Sequence, residues 1–365
     1  MGSRTLAQLT KFGRDQNWIQ IDKISNGKFS NHAGYFCNLF KRTYESIILW
    51  FWRPIVFNHY NNGNQRNINQ PTWNRMTRIS VIVTCIVLAG TNLQASVVTD
   101  SIQIEGKYRT FHHSESASLK PGASLVFVLH GSGGNGLDMM SQTVELEKKA
   151  RNDNAMVVYP NGYKKYWNEC RKAASSLANK EDINEAAFFD AMIKHFVNKY
   201  KIDDRNVFAI GTSGGGHMCY KLALTMPGKF AAVAVLIANL PDDANMDCAE
   251  NGVPIPIMIV NGTADPVNPY EGGLMKGGNF VMGTVRSTDQ TFQYWAQLAG
   301  YSGNPTKETV PDKDPGDGKL IERYSYKVMG KPEVVLLKVI GGKHDYPNDI
   351  DVHAEGWEFF KRQIK

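Results

Sequence analysis

From residue 96 onward, short apolar runs alternate with longer amphipathic segments, and this alternation constrains the fold more than any other feature of the sequence. Strands separated by helices in this way form a mostly parallel sheet covered by helices on both faces. Residues 124–130 form a continuous apolar run that ends in a glycine-rich turn, which is typical of a central strand buried on both faces. We therefore predict the α/β class, with a mostly parallel central sheet.

No repeat or long linker divides residues 96–365, so we predict one domain there. Apolar periodicity and turn residues place its elements. Further strands are predicted at 101–112 (one or two antiparallel strands), 155–159, 206–210, 230–237 and 255–260, with a late hairpin at 320–327 and 333–340. Helices are predicted at 138–151, 184–200, 215–225, 288–299 and 352–361.

The charge of the chain is unevenly distributed. Its 41 Lys and Arg against 35 Asp and Glu give a net charge of +6, which at first suggests nucleic acid or a membrane surface as a partner. Residues 1–75 hold the whole excess, with ten basic and three acidic side chains. They are also rich in Asn and lack a sustained apolar period, so we predict a poorly structured extension. The remainder is nearly neutral, and we expect no nucleic-acid partner.

Residues 76–95 have the pattern of a secretory signal peptide. Met76 and Arg78 precede an apolar stretch at 79–90, and small and polar residues follow it up to Ser96. A core helix or strand is the alternative interpretation of this stretch. We expect that translation starts at Met76, or that the leader acts as a signal anchor behind the 75-residue extension. After cleavage near Ser96 the protein is expected to be extracellular, with no stable membrane partner.

The five cysteines divide according to this organisation. Cys37 lies in the extension and Cys85 in the leader, which leaves Cys170, Cys219 and Cys248 in the mature chain. One disulfide is expected in an oxidising compartment, and Cys170 with Cys248 is the pair that we favour. Cys219 falls in a predicted helix among apolar neighbours, where a buried free thiol is the more common state.

Residues 211–215 read Gly-Thr-Ser-Gly-Gly and fit the pattern G-x-S-x-G. They lie directly after a predicted strand and before a predicted helix, where a sharp turn presents a nucleophilic serine at the edge of a sheet. The glycines keep side chains away from such a turn, and a serine hydroxyl becomes a good nucleophile only when a base takes its proton. We predict that Ser213 is a catalytic nucleophile.

An acid and then a histidine are expected to follow this serine along the chain. Asp265 lies just beyond one predicted strand, and His344 follows a double glycine just beyond another. We predict His344 as general base and later general acid, and Asp265 as the residue that orients the imidazole and stabilises its charged form. Asp345 is a rival acid, but its adjacency to His344 makes that geometry awkward.

The other histidines of the mature chain are predicted to be structural. A base at His217, one helical turn past Ser213, would point along the helix instead of toward a substrate. The remaining ones lie in an early strand or on helices: His112, His113, His195 and His353.

A glycine-rich loop at 130–136 is expected to complete an oxyanion hole, with the backbone N–H of Ser132 and that of Gly214 as donors. The same loop fits G-x-G-x-x-G, but the next predicted strand ends without the acidic residue that a dinucleotide site requires. An acidic stretch at 312–322 has the wrong spacing for an EF-hand, so we interpret it as a solvated turn. We predict no metal and no cofactor.

Together these segments resemble the secreted polyhydroxybutyrate depolymerase-like and feruloyl esterase family of α/β-hydrolases over residues 101–362. The resemblance implies the α/β-hydrolase fold and hydrolysis of carboxylic esters outside the cell, on polymers or their fragments, through an acyl-enzyme. Trp167 and Tyr270 are candidates to stack on an aromatic or sugar moiety, although ordinary packing is an equal alternative. The matching segments are 129–131, 159–160 with Trp167, 186–191, 211–216, 261–267, 342–347 and 357–360.

The elbow, with Thr212 before the serine and Gly214 after it, and Tyr346 beyond the histidine depart from the family pattern and could shape the pocket. The leading hypothesis is a secreted serine esterase that removes feruloyl or acetyl groups from plant polysaccharide. Its partner would be an ester-bearing polymer or oligomer. The alternative is a polyhydroxyalkanoate depolymerase, and a serine peptidase of the same fold is a distant third, since residues 96–365 leave no room for the extra domain that it usually brings.

Overall fold

The computed structural model describes residues 96–365 except 116–118 and 278–279. The predicted extension and leader lie outside this part of the chain and stay predictions. Within the described part, no helix is both long enough and apolar enough to cross a membrane.

Strands and helices alternate along most of the described chain. The strands are β1 (Val97–Ile104), β2 (Lys107–Ser114), β3 (Ser124–Leu129), β4 (Ala155–Pro160), β5 (Val207–Thr212), β6 (Ala232–Leu236), β7 (Ile257–Gly262), β8 (Gly273–Gly277), β9 (Phe280–Val285), β10 (Thr306–Thr309), β11 (Leu320–Tyr326) and β12 (Val334–Ile340). The helices are α1 (Gly136–Gln142), α2 (Val144–Asn152), α3 (Leu177–Lys180), α4 (Glu185–Tyr200), α5 (Gly214–Thr225), α6 (Thr288–Leu298) and α7 (Val352–Lys361), with a 3-10 turn at Pro315–Asp317.

Among the described residues, ten strands form one sheet in the order β1-β2-β4-β3-β5-β6-β7-β12-β11-β10. The six central strands, from β4 to β12 in this order, run parallel. The outer strands pair antiparallel on both sides: β1 with β2 and β2 with β4, and β12 with β11 and β11 with β10. The pairs β1–β2 and β11–β12 confirm the predicted early pair and late hairpin. The predicted α/β fold, with a mostly parallel sheet and helices on both faces, is confirmed. Because parallel strands end at the same edge, the loops after β3, β5, β7 and β12 can meet there.

The sheet separates two apolar layers, and β3 shows why its sequence is apolar throughout. Leu125 and Phe127 pack with α4, α5 and α6 on one face, whereas Val126 and Val128 pack with α2 and α7 on the other. Successive side chains of a strand point to opposite faces, so a strand covered on both sides needs no polar position. Each large side chain buried in this way contributes about 1.5–3 kcal/mol.

One predicted helix differs from the structure, and three segments of the structure were not predicted. The helix predicted at 138–151 is two helices, because Thr143 leaves helical geometry and its hydroxyl donates to the carbonyl of Met139. The hairpin β8–β9, the edge strand β10 and the four-residue helix α3 were not predicted. These pieces are short, glycine-rich or exposed, so they carry little apolar periodicity.

A disulfide joins Cys170 and Cys248, the pair that the sequence favoured. Cys219 is a buried free thiol in α5, as predicted, and burial raises its pKa well above the usual range. The disulfide ties the loop after β4 to the segment after β6.

Candidate active site

Ser213 stands at the sharp turn between β5 and α5, with φ of 53° and ψ of −113°. This backbone geometry is strained for a residue with a side chain and costs on the order of 1–3 kcal/mol. The turn is tight enough that a methyl group on Gly211 would overlap the carbonyl of Gly215. The turn is held because the Ser213 N–H donates to the carbonyl of Leu236 at 2.8 Å. The sequence pattern therefore produces a serine raised above the sheet edge.

The structure brings Ser213, His344 and Asp265 into one chain of hydrogen bonds. His344 Nε2 lies 3.0 Å from Ser213 Oγ. On the other side of the ring, His344 Nδ1 lies 2.7 Å from Asp265 Oδ2. A carboxylate oxygen only accepts, so the proton of the neutral ring is on Nδ1 and the lone pair of Nε2 faces the hydroxyl. An imidazole held this way can take the serine proton.

Asp265 is fixed by the loop that follows β7. Its Oδ1 accepts from the backbone N–H groups of Val267 and Asn268, both at 2.8 Å, and its side chain is almost fully buried. This loop is bonded to the loop after β12, since the N–H of Ala264 donates to the carbonyl of Gly342 at 2.8 Å. One carboxylate oxygen is thus committed to the backbone and the other to His344.

The loop of residues 344–349 is braced from the preceding acidic segment. Lys319 Nζ donates to the carbonyl of Tyr346 at 2.7 Å and lies 3.0 Å from Asp345. The rival acid is therefore paired with a lysine. The Tyr346 hydroxyl shares a hydrogen bond with that of Thr212, one residue before Ser213. Thr212 and Tyr346, which both depart from the family pattern, thus link the elbow to the loop of residues 344–349, here called the histidine loop.

In the predicted solvated turn, Asp314 and Asp317 do not stand free. The side-chain amide of Asn348 donates to Asp314 and its backbone N–H donates to Asp317, at 2.8 and 2.9 Å. The turn therefore braces the end of the histidine loop.

The glycine-rich loop after β3 lies against Ser213. A methyl group on Gly214 would lie 3.0 Å from the backbone nitrogen of Ser132, so the two predicted oxyanion donors are neighbours. The N–H of Gly214 is free by position, because it opens α5. His130 sets the loop: its Nδ1 donates to the carbonyl of Gly131 and its Nε2 accepts from Gly162 N–H. Burial lowers the pKa of His130, which keeps this neutral arrangement.

A cavity of about 370 Å³ opens beside Ser213 and is lined by both predicted oxyanion residues. Trp167 also lines it, and its indole N–H donates to the carbonyl of His130 at 2.9 Å. Tyr270 does not reach the cavity: its ring is buried and its hydroxyl donates to Asp289 at 2.8 Å. The expectation that Tyr270 contacts substrate is therefore not supported by its position.

Among the cavity-wall residues that the sequence did not indicate are two methionines and two charged side chains. Met275 and Met282 come from the hairpin β8–β9, which was not predicted, and Glu169 and Arg171 come from the irregular loop after β4. Cys170 is the sequence feature that could have indicated Glu169 and Arg171, because its predicted disulfide anchors the two charged residues beside it.

The histidines predicted to be structural lie away from the reacting atoms or are buried. Burial lowers the pKa of His217 well below its usual range, and the nearby charge of Arg171 adds to this effect. Burial also lowers the pKa of His353 to about 4. His112 bonds to Thr99 and Asn161. None of these three contacts the Ser213 hydroxyl among the described residues.

Comparison with known proteins finds similarity to esterases over parts of the chain. A family model described as Phospholipase/Carboxylesterase matches residues 114–279. The chain is 33% identical to feruloyl esterase C of Emericella nidulans over 162 residues, which are 43% of this chain and 54% of that protein. It is 26% identical to feruloyl esterase B of Piromyces equi over 216 residues, which are 59% of this chain and 38% of that protein. The chain thus spans about half or less of the length of these curated relatives.

Among solved structures, an acetyl xylan esterase from Aspergillus awamori matches 72% of this chain and 99% of its own, with a TM-score of 0.51 and 16% identity. At that identity the match shows the fold alone. The fold is thus that of an α/β-hydrolase, and parts of the chain are similar in sequence to carboxylesterases and feruloyl esterases.

Proposed function

We propose that the chain is a secreted serine carboxylesterase that hydrolyses feruloyl or acetyl esters on plant polysaccharide through an acyl-enzyme. The observation that carries this proposal is the unbroken series of hydrogen bonds from Ser213 through His344 to Asp265, at the mouth of a mainly apolar cavity.

In the proposed mechanism, His344 takes the proton of Ser213 as Oγ attacks the ester carbonyl carbon. The negative oxygen of the tetrahedral intermediate accepts from the N–H groups of Ser132 and Gly214. His344 then gives the proton to the leaving alcohol, and the acyl group stays on Oγ. Water, activated by the same ring, releases the acid and restores the serine. Asp265 holds the tautomer throughout and stabilises the imidazolium.

The names of the relatives support feruloyl esters as substrates, since two of the matched fungal proteins are feruloyl esterases. The cavity supports the same class. Trp167, Met275 and Met282 give it aromatic and thioether walls, which suit a flat ring. A neutral mature chain requires no charge steering of the substrate.

Secretion is supported by two independent observations. The pattern of residues 76–95 is that of a leader peptide, and the Cys170–Cys248 disulfide is of the kind that persists in oxidising compartments.

The substrate is tested by comparing kcat/KM on methyl ferulate, p-nitrophenyl acetate and a hydroxybutyrate oligomer. We expect hydrolysis of the first two esters, and loss of both activities in Ser213→Ala. Activity on the oligomer alone would instead identify a polyester depolymerase and overturn the proposed substrate class.

A further inference from the structure

Two charged side chains lie in the cavity wall, and the proposed mechanism uses neither. Glu169 and Arg171 line the same cavity as Ser213, with side chains only 2% and 5% exposed. Burying charge in an apolar region is costly unless the charges are paired. Even a well-paired buried ion pair is often no more stable than apolar residues of similar volume, so stability alone does not account for this pair.

The pair is well ordered by its bonds. Arg171 Nε donates to Glu169 Oε1 at 2.9 Å, and Nη2 lies 2.9 Å from the same oxygen. The other carboxylate oxygen accepts from the backbone N–H of Arg171 at 3.0 Å. The disulfide at Cys170 lies between the two residues, and Arg171 also forms an isolated bridge with Met246. Both side chains are thus fixed before any substrate arrives.

Arg171 lines the cavity, and its guanidinium has N–H donors that Glu169 does not occupy. Arginine carries five N–H groups, and Glu169 takes two of them. Nη1 donates to Met275 Sδ at 3.4 Å, and a thioether is a weak acceptor. Among the described residues, Glu169 supplies the one oxygen that accepts from this guanidinium. A substrate oxygen that replaced the sulfur would form a much stronger bond.

We propose that Arg171 is a specificity-determining residue that donates a hydrogen bond to a neutral ring oxygen of the acyl group, such as the hydroxyl or methoxyl of ferulate. This inference rests on the proposed esterase function. The neutral character of the acceptor follows from charge: Glu169 already balances Arg171, so a substrate carboxylate would add an unpaired negative charge to an apolar cavity. The indole of Trp167 and the thioether of Met282 line the same cavity and would contact the ring.

The test compares methyl ferulate with methyl cinnamate, which has the same ester but no ring oxygen. A hydrogen bond to a charged donor is expected to favour ferulate by about tenfold or more in kcat/KM. The ratio of the two values within one preparation does not depend on the fraction of protein that is folded.

Removing Arg171 alone would leave Glu169 as an unpaired buried charge and endanger folding. The variant is therefore Glu169→Gln with Arg171→Met, in which the new amide oxygen can still accept from the backbone N–H. We expect its ferulate-to-cinnamate ratio to fall to about one. The matched control is Glu333→Gln with Arg362→Met, which removes a 3.0 Å arginine–glutamate pair elsewhere, and its ratio should equal that of the wild type.

Three outcomes would overturn the inference: a wild-type ratio near one, a ratio unchanged in the Glu169/Arg171 double variant, or faster hydrolysis of methyl 4-carboxycinnamate than of methyl ferulate. The last would mean that the site binds anions. If the wild type hydrolyses p-nitrophenyl acetate in a Ser213-dependent manner, any of these results refutes the Arg171 inference alone. Absence of that hydrolysis refutes the proposed function itself and the Arg171 inference that rests on it.

Discussion

Replacing Asp265 with Asn tests how the structure sets the position of the proton on His344. In the wild type, Oδ1 of Asp265 accepts from two backbone N–H groups, whereas Oδ2 accepts from His344 Nδ1. An amide has one oxygen and one NH2 group. Its oxygen must take the Oδ1 place, because an NH2 group there would face two donors. The NH2 group then faces Nδ1, which has to become an acceptor.

The proton of the neutral ring consequently moves to Nε2, which lies 3.0 Å from Ser213 Oγ and can no longer accept from it. Triads with this defect lose about 10⁴-fold in kcat, equivalent to about 5.5 kcal/mol. Both backbone hydrogen bonds survive, so the free energy of unfolding should change by about 1 kcal/mol at most.

The assay is kcat for p-nitrophenyl acetate, with urea unfolding as a check on the fold. Asp345→Asn is the matched control, because Asp345 is the neighbouring carboxylate and pairs with Lys319 instead of His344. The kcat of this variant should stay within about threefold of the wild-type value. An Asp265→Asn variant that keeps more than a tenth of the wild-type kcat would refute this reasoning. Equal reductions of kcat in Asp265→Asn and Asp345→Asn would also refute it.

Two other predictions concern the support of the site. Lys319→Met removes the bond to the Tyr346 carbonyl, so kcat for p-nitrophenyl acetate should fall about tenfold with little change in KM; an unchanged kcat would show that the histidine loop needs no brace. Burial lowers the pKa of His353 from 6.5 to about 4, so the unfolded chain binds its proton first and stability falls as pH drops from 6.5 to 4. His353→Gln should lose about 3 kcal/mol less than the wild type over this range in urea unfolding, and parallel pH curves would contradict this.

The parts of the fold that the sequence predicted are those in which apolar period and packing agree. The run at 124–130 became β3 because both faces of that strand are covered. The break at Thr143 was not predictable, since it depends on a hydroxyl bonded to the Met139 carbonyl and on Tyr159 from a neighbouring strand. The hairpin β8–β9 was not predicted for a different reason: its glycines interrupt the alternation of apolar and polar side chains that indicates a strand.

The residues of the candidate site also divide into those that local sequence predicted and those that depend on tertiary contacts. Ser213, Asp265 and His344 could be assigned because each follows a strand and parallel strands end at one edge. Arg171 could not be assigned, since its burial depends on a disulfide and on Met275 from a distant hairpin. Tyr270 follows Asp265 closely in sequence and was therefore predicted to contact substrate, but its hydroxyl donates to Asp289 on α6. Tertiary contacts, which local sequence does not encode, decided both cases.

Covalent labelling of Ser213 tests the central claim most directly. The wild type, Ser213→Ala and His344→Ala are each treated with a fluorophosphonate and analysed by intact-mass and peptide mass spectrometry. We predict one adduct on the wild type, located at Ser213, none on Ser213→Ala, and strongly slowed labelling of His344→Ala because the hydroxyl then lacks its base. Equal labelling of the wild type and Ser213→Ala would contradict the assignment of the nucleophile and the esterase mechanism built on it.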